Sequence, residues 1–336
     1  MDLYYSFGVS PKLVRNITFY DDKTLIFISG KLFVLFDLEA HSQKIIEIVQ
    51  DCEVTALSRC EKHLLLAVRD SPPSIYLFNI ESSTKRLFNG PMRMKSDTYF
   101  SISSSTSLKF IAAQGCEPDW LLVIWLSTTR EVIAVFDPTS ERLDSVVHDI
   151  SFNAGEREEL VVVGKNVFRL YECQDEEESE TVSFSEIIFE KHEEGHEYYS
   201  IAWPQKESLA VGNSKGCTSS ELLCVFAGRT LVIYKGEEIS QYTPSRYVHL
   251  SPPKLKLTLP GELVGLHDFI MCLDISPGNG LICATTAYGQ LLYLDLKKDE
   301  NNHSFQILVP RQHNGPIIAM DVARGKPLVA TCSEHL

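Results

Sequence analysis

Residues 267–296, HDFIMCLDISPGNGLICATTAYGQLLYLDL, constrain the fold more than any other stretch, because about 30 residues write out three short strands with their turns. Ile270, Cys272 and Asp274 alternate with Met271, Leu273 and Ile275; Ser276-Pro277-Gly278-Asn279-Gly280 then breaks the run with the residues tight turns require. A second apolar run, Leu281 to Thr286, ends in Ala287-Tyr288-Gly289, and 290–296 forms a third. No room remains for a helix. A lone sheet of three or four strands leaves two apolar faces and two open edges. Such a unit is stable when radial copies pack face to face, as in the blades of a propeller.

The rest of the chain repeats this unit. HNGPIIAMDVARGKPLVATCS begins at His313 and matches 318–322 to 272–276, a shift of roughly 46 residues, close to a WD-repeat period. More worn copies start at Ile17, Thr55, Ser101, Asp149 and Ser200, each reading alternating run, polar turn, apolar run, turn, apolar run. The interval between Ser200 and Leu273 is too long for one ordinary copy, so it reads as one or two degenerate blades plus an insertion, with 222–238 supplying a strand pair. The 336 residues therefore predict an all-β fold: a single WD-repeat β-propeller over 1–336, with about seven blades and the last one incomplete. Its inner strands are expected near Ile17, Ala56, Ile102, Ile150, Ile201, Leu273 and Met320. Trp120 and Trp125, five positions apart, are expected on opposite faces of their strand region, with one buried. The final blade lacks a third strand, and residues 3–7, LYYSF, are placed to complete it in part, leaving an open edge prone to association.

Composition narrows the function classes. Apolar residues make up 44% of the chain, yet no run approaches the ~18 needed to span a bilayer, and residues 1–10 lack the pattern of a secretory signal. A soluble, intracellular protein is expected. Nine cysteines without a C-x-x-C pair read as reduced thiols packed as small core residues. The net charge of −14 disfavours nucleic acid, anionic membrane and the acidic face of tubulin as direct partners. Residues 241–261, QYTPSRYVHLSPPKLKLTLPG, carry Arg246, His249, Lys254 and Lys256 among four prolines and read as an extended, Pro-rich loop insertion. The acidic run 175–180, DEEESE, reads as a solvated loop tip.

His192-Glu193-Glu194-Gly195-His196 matches H-E-x-x-H, in which two histidines one helical turn apart hold zinc and the glutamate activates water. That chemistry needs a helix. The residues before it alternate like a strand, Gly195 disfavours helix by ~1 kcal/mol relative to alanine, and the next strand begins at Tyr198. Gly195-His196 stands instead where a WD repeat carries its Gly-His pair, as His267 and His313 do, so no zinc is expected at His192 and His196. No Walker or G-x-G-x-x-G motif is present. No catalytic, cofactor-binding or metal-binding residue is therefore assigned, and the expectation is a non-enzyme without cofactors. The sequons at Asn16 and Asn302 are expected to stay unmodified.

Three segments carry a closer likeness. FGVSPKLVRNITFYDDKTLIFISGKLFVLFDLEAHSQKII, SLKFIAAQGCEPDWLLVIWLSTTREVIAVF and NGPIIAMDVARGKPLVATCS resemble the amino-terminal part of the cilia- and flagella-associated protein 57 family. The family pattern looks shortened over 217–261, and the chain stops after VATCS, where the family continues with a further strand; the chain reads as a fragment or short isoform. The resemblance implies two successive WD-repeat propellers followed by a coiled coil, and an axonemal component tied to inner-arm dynein placement. The expected function is thus a non-enzymatic scaffold of the ciliary or flagellar axoneme, in the cytoplasm and cytoskeleton, supporting the assembly or positioning of inner-arm dyneins and cilium motility. Its propeller loops would bind axonemal proteins, including inner-arm dynein components. The alternative from the residues alone is a soluble cytosolic WD-repeat adaptor, such as a substrate receptor, because one propeller serves many roles.

Overall fold

The computed structural model describes residues 13–29, 32–46, 53–79, 82, 84–140, 144–153, 158–175, 182–189, 198–202, 222–227, 230–235, 247–248, 255–258, 270–278, 281–295, 305–310, 317–322 and 329–333. Among them every regular element is a β-strand, and no helix is long and apolar enough to cross a membrane. The first sheet comprises β1 (Ile17–Phe19), β2 (Thr24–Ser29), β3 (Leu32–Asp37) and β4 (Gln43–Ile46) in chain order. Its turns are short because aspartates close them: Asp21 Oδ1 accepts the Lys23 and Thr24 amides, and Asp37 Oδ1 those of Glu39 and Ala40.

The same meander recurs. The second sheet is β5 (Val54–Cys60), β6 (His63–Val68), β7 (Ser74–Asn79) and β8 (Lys85–Asn89). The third is β9 (Tyr99–Ser104), β10 (Phe110–Gly115), β11 (Leu122–Leu126) and β12 (Val132–Phe136). The fourth holds β13 (Val146–Phe152), β14 (Glu159–Lys165), β15 (Val167–Asp175) and β16 (Val182–Phe189). The fifth is β17 (Tyr198–Ala202), β18 (Leu222–Ala227) and β19 (Thr230–Lys235), closed by β21 (Leu255–Thr258) after β20 (Tyr247–Val248) has paired in parallel with β16. The sixth is β22 (Ile270–Ile275), β23 (Leu281–Thr286), β24 (Leu291–Asp295) and β25 (Gln306–Val309). Five of these sheets are four-stranded antiparallel blades set in a ring, and the fourth, with its added parallel strand, lies between its chain neighbours. The interval after Ser200 is therefore one blade. The segment 241–261 is not wholly loop, since it contributes β20 and the blade's outermost strand.

Sheet faces explain the unbroken apolar runs. In β10, Phe110 and Ala112 pack with Val147, Ile150 and Val162 of the fourth sheet, while Ile111 and Ala113 join Ala56, Ile75 and Phe88 of the second. A strand buried on both sides has no polar face to alternate with. Trp125 lies fully buried at the junction of the second and third sheets, edge-on to Tyr99 at 5.7 Å, and its Nε1–H donates to Asn89 O at 3.1 Å. Trp120 precedes β11 and packs on the other face, edge-on to Phe100. The opposed placement expected for this pair is present.

Ile17, Ala56, Ile102, Ile150, Ile201 and Leu273 all lie on innermost strands, each at most 1% exposed. The strands β1, β5, β9, β13, β17 and β22 neighbour one another in that order, and β22 returns to β1. Seven blades are not borne out. The hairpin β26 (Ile317–Val322) and β27 (Val329–Ser333), expected to form the last blade with Met320 inside, is a two-stranded sheet whose Ala319, Asp321, Ala330, Thr331 and Cys332 are exposed. The physical reason is that β1 and β22 already bury each other: Ile17, Phe19, Phe27, Cys272 and Cys283 share one core cluster, so no gap remains between them for a further sheet. Residues 3–7 lie outside the described residues.

Replacing Trp125 with alanine removes the largest fully buried side chain of the described core and is expected to cost about 3–5 kcal/mol. Trp120→Ala is expected to cost less. Chemical denaturation of the two variants beside the parent checks this order.

Candidate functional site

Each innermost strand presents one edge to the channel, and its amide and carbonyl groups there have no ladder partner, a costly arrangement unless other groups satisfy them. The chain solves this with a repeated irregularity. The pairing of the innermost strand with its neighbour slips by one residue at Thr55, Phe100, His148, Tyr199 and Met271, so that Ala56, Ser101, Asp149, Ser200 and Cys272 follow a bulge. A bulge re-aims the next side chain. Here that side chain reaches the following blade. Ser101 Oγ accepts the Ile150 amide at 3.2 Å, Asp149 Oδ2 accepts the Ile201 amide at 3.0 Å and Ser200 Oγ accepts the Leu273 amide at 3.0 Å. A second tier follows two residues later, where Ser103 Oγ accepts the Phe152 amide and Asp274 Oδ2 the Phe19 amide.

Asp149 is the hub of this belt and is fully buried. Its Oδ1 accepts Arg15 Nε–H at 2.7 Å, the Ser101 hydroxyl at 2.6 Å and the Ile150 amide at 2.9 Å, and its Oδ2 also accepts the Ser200 hydroxyl at 2.9 Å. Arg15, just before β1, also donates from Nη2 to the carbonyls of Ile150 and Ile201. Burial works against the Arg15 charge, but Asp149 above all, with Cys272 and Asp274, outweighs it and holds its pKa above the ordinary value. A hydrogen-bonded ion pair therefore spans the middle of the ring.

Below it opens a cavity of about 480 Å³ at the ends of β1, β5, β9, β13 and β22. Hydroxyl groups of Ser58, Ser103 and Ser151 line it beside Arg59 and Asp274. Burial raises the Asp274 pKa, and the Phe19 amide opposes that rise. Burial likewise pushes the Cys272 thiol up to about 12 and the Cys283 thiol well above its usual range. Cys60, Cys272 and Cys283 are core thiols, as the sequence suggests, whereas Cys332 is exposed. The arrangement offers hydroxyls, the Arg59 guanidinium beside the paired Arg15, and backbone groups; it can bind polar groups. His192, Glu193 and His196 lie outside the described residues. Sequence reasoning assigned no site and so missed Arg15, Asp149 and the hydroxyls, although Ser101, Asp149 and Ser200 stand in one column of the repeat, where a charge amid apolar strand residues marks a polar belt.

No family model matches the chain. Among curated proteins, it is 22% identical to cilia- and flagella-associated protein 57 of Mus musculus over 97% of its own length and 32% of the relative's. It is 25% identical over 51% of its length to cilia- and flagella-associated protein 57 C of Tetrahymena thermophila, and 22% identical over 51% to cilia- and flagella-associated protein 44 of Mus musculus, covering 14% and 9% of those chains. The chain thus spans a third or less of each relative. In fold, it matches a chain in the structure titled "Crystal Structure of Mitotic Checkpoint Complex" with a TM-score of 0.53 at 10% identity, over 98% of this chain and 90% of that one.

Removing one partner of a buried pair strands the other charge, so Asp149→Ala is expected to lose about 3–5 kcal/mol of stability, read by denaturant titration. The buried thiols generate a pH expectation. The folded state keeps the Cys272 proton up to about 12, whereas the unfolded chain releases it near the ordinary value of 9.0. The native state then holds more protons in that window, so stability falls as pH rises through it, and Cys272→Ala should flatten the fall. In native buffer at pH 8, iodoacetamide is expected to modify Cys332 and to spare Cys272 and Cys283, as peptide mass mapping would read. Taken with the ring and its polar belt, the alignment makes the chain similar, over nearly its whole length, to cilia- and flagella-associated protein 57.

Proposed function

We propose that this chain is a non-enzymatic propeller scaffold of the ciliary or flagellar axoneme, which supports the placement of inner-arm dyneins by presenting its loops to axonemal proteins. The observation that carries the reading is the likeness to a cilia- and flagella-associated protein across 97% of the chain, an extent that takes in the whole ring rather than one blade. Two further relatives with ciliary names support it. The physical character of the ring agrees: the channel residues are spent on holding blades together, and the exposed surface is a set of turns on a rigid frame, the usual basis of recognition by such folds. The acidic chain favours protein partners over nucleic acid or anionic lipid. Residues 1–336 act as one propeller unit in this reading.

Incubating the tagged chain with demembranated axonemes and sedimenting them is the direct test. The chain is expected in the pellet at physiological salt, and its pelleting is expected to fall when inner-arm dyneins are first extracted. Recovery wholly in the supernatant would sink the reading.

A further inference from the structure

We propose that the mouth of the central channel grips a carboxylate side chain of a partner protein, with Arg59 as its receptor. This deepens the scaffold reading, on which it rests, by naming the chemistry of the partner. The cavity lies where the first and second strands of successive blades turn, and Arg59 stands on its wall at the end of β5. Its guanidinium is fixed in place. Nε–H donates to Glu61 O at 2.7 Å, Nη1–H donates to Phe19 O at 3.2 Å, and the group lies 5.7 Å from the centre of the Tyr20 ring.

Arg59 is partly buried, and the acceptors it holds are neutral backbone carbonyls. Arg15 pairs with Asp149, Arg69 with Glu53 and Asp97, and Lys23 with Glu39. Among the described residues no carboxylate reaches ion-pair distance of Arg59, and Nη2 has no hydrogen-bond partner. Burial lowers its pKa; Asp274 and Asp21 oppose that only from a distance. Asp274 spends Oδ2 on the Phe19 amide, in the seam between the sixth and first blades. A guanidinium partly stripped of water, held in plane on the wall of a cavity, matches the two oxygens of a carboxylate. The Ser103 hydroxyl, whose oxygen already accepts the Phe152 amide, keeps its own proton for an acceptor in the same cavity. Lys62 adds a second positive charge at the rim and Glu61 a negative one. With −14 overall, the chain repels extended polyanions, which leaves a single inserted acidic side chain as the occupant its charge tolerates.

The test uses the whole chain and two labelled probes, Gly-Ser-Ala-Glu-Ala-Ser-Gly and the same peptide with glutamine in place of glutamate, read by fluorescence anisotropy at low salt. The parent is expected to bind the glutamate peptide at least tenfold more tightly than the glutamine peptide. Arg59→Gln is expected to weaken glutamate-peptide binding about 10- to 100-fold, the range of a charge-assisted hydrogen-bonded pair, and to abolish the preference. Arg59→Lys keeps the charge without the fork and is expected to fall between; it replaces Arg59→Gln if that variant melts early. Equal binding of both peptides by the folded parent, no saturable binding of either, or unchanged preference in the folded variant overturns the inference. Axoneme sedimentation is read separately, so loss of the peptide result with retained pelleting sinks this inference and leaves the scaffold reading standing.

Discussion

The structure depends on how a ring of sheets disposes of the inner edges it cannot avoid. Every blade turns an unpaired strand edge to the channel, where water is scarce and an unmet amide or carbonyl costs roughly 1–3 kcal/mol. After three of the bulges the side chain accepts the next blade's amide, and after a fourth Cys272 reaches the Ile17 carbonyl, so one local irregularity, repeated, both satisfies edge groups and fixes the spacing of blades. Asp149 concentrates this role because a carboxylate accepts several bonds at once: it joins blades three, four and five, and Arg15 ties the lead into the first blade to the same point. The apolar clusters between sheets then pack on a frame whose register is already set.

Much of this was legible in the sequence. Innermost strands at Ile17, Ala56, Ile102, Ile150, Ile201 and Leu273 followed from the repeated pattern, because the two-residue period and the turn residues are local. The number of blades was not legible, because it depends on whether β22 and β1 meet, and a repeat count holds no information about that seam. The hairpin at Ile317–Val322 repeats the pattern faithfully, even to its bulge between Ile317 and Ala319, yet stands outside the ring's closure. The stretch after Ser200 was obscure for a different reason: its second strand begins at Leu222, so the copy is interrupted rather than missing. The polar belt was hidden by its own heterogeneity, since alanine, serine, aspartate, serine and cysteine occupy one structural position.

The belt and the mouth of the channel share residues. At the middle, Asp149, Ser101 and Ser200 bond to one another and to the amides of the next blade, whereas at the mouth the blades diverge and the hydroxyls and Arg59 line a cavity. Arg59 Nη1–H also donates to Phe19 O across the first two blades, so an occupant of the cavity bears on the packing of that junction, and interiors at crystal-like density do not deform gradually.

Among the described residues the seam between the sixth and first sheets joins the positions farthest apart in sequence, and its energetics explain why these sheets stay together. Phe19 and Asp274 are 255 residues apart in sequence, against 49 for the Ser103–Phe152 bond between adjacent blades. Loop-closure entropy grows only with the logarithm of length, so the seam costs about 1.5 kcal/mol more than an ordinary junction. One net hydrogen bond is worth about 1 kcal/mol. The seam has the Asp274–Phe19 bond, Cys272 Sγ to Ile17 O, Thr285 Oγ1 to Asn16 Oδ1 at 2.9 Å and the Gly278 amide to Asp22 Oδ1 at 2.6 Å, besides a shared apolar cluster. These contacts exceed the added entropy, so among the described residues the facing sheets themselves hold the seam closed.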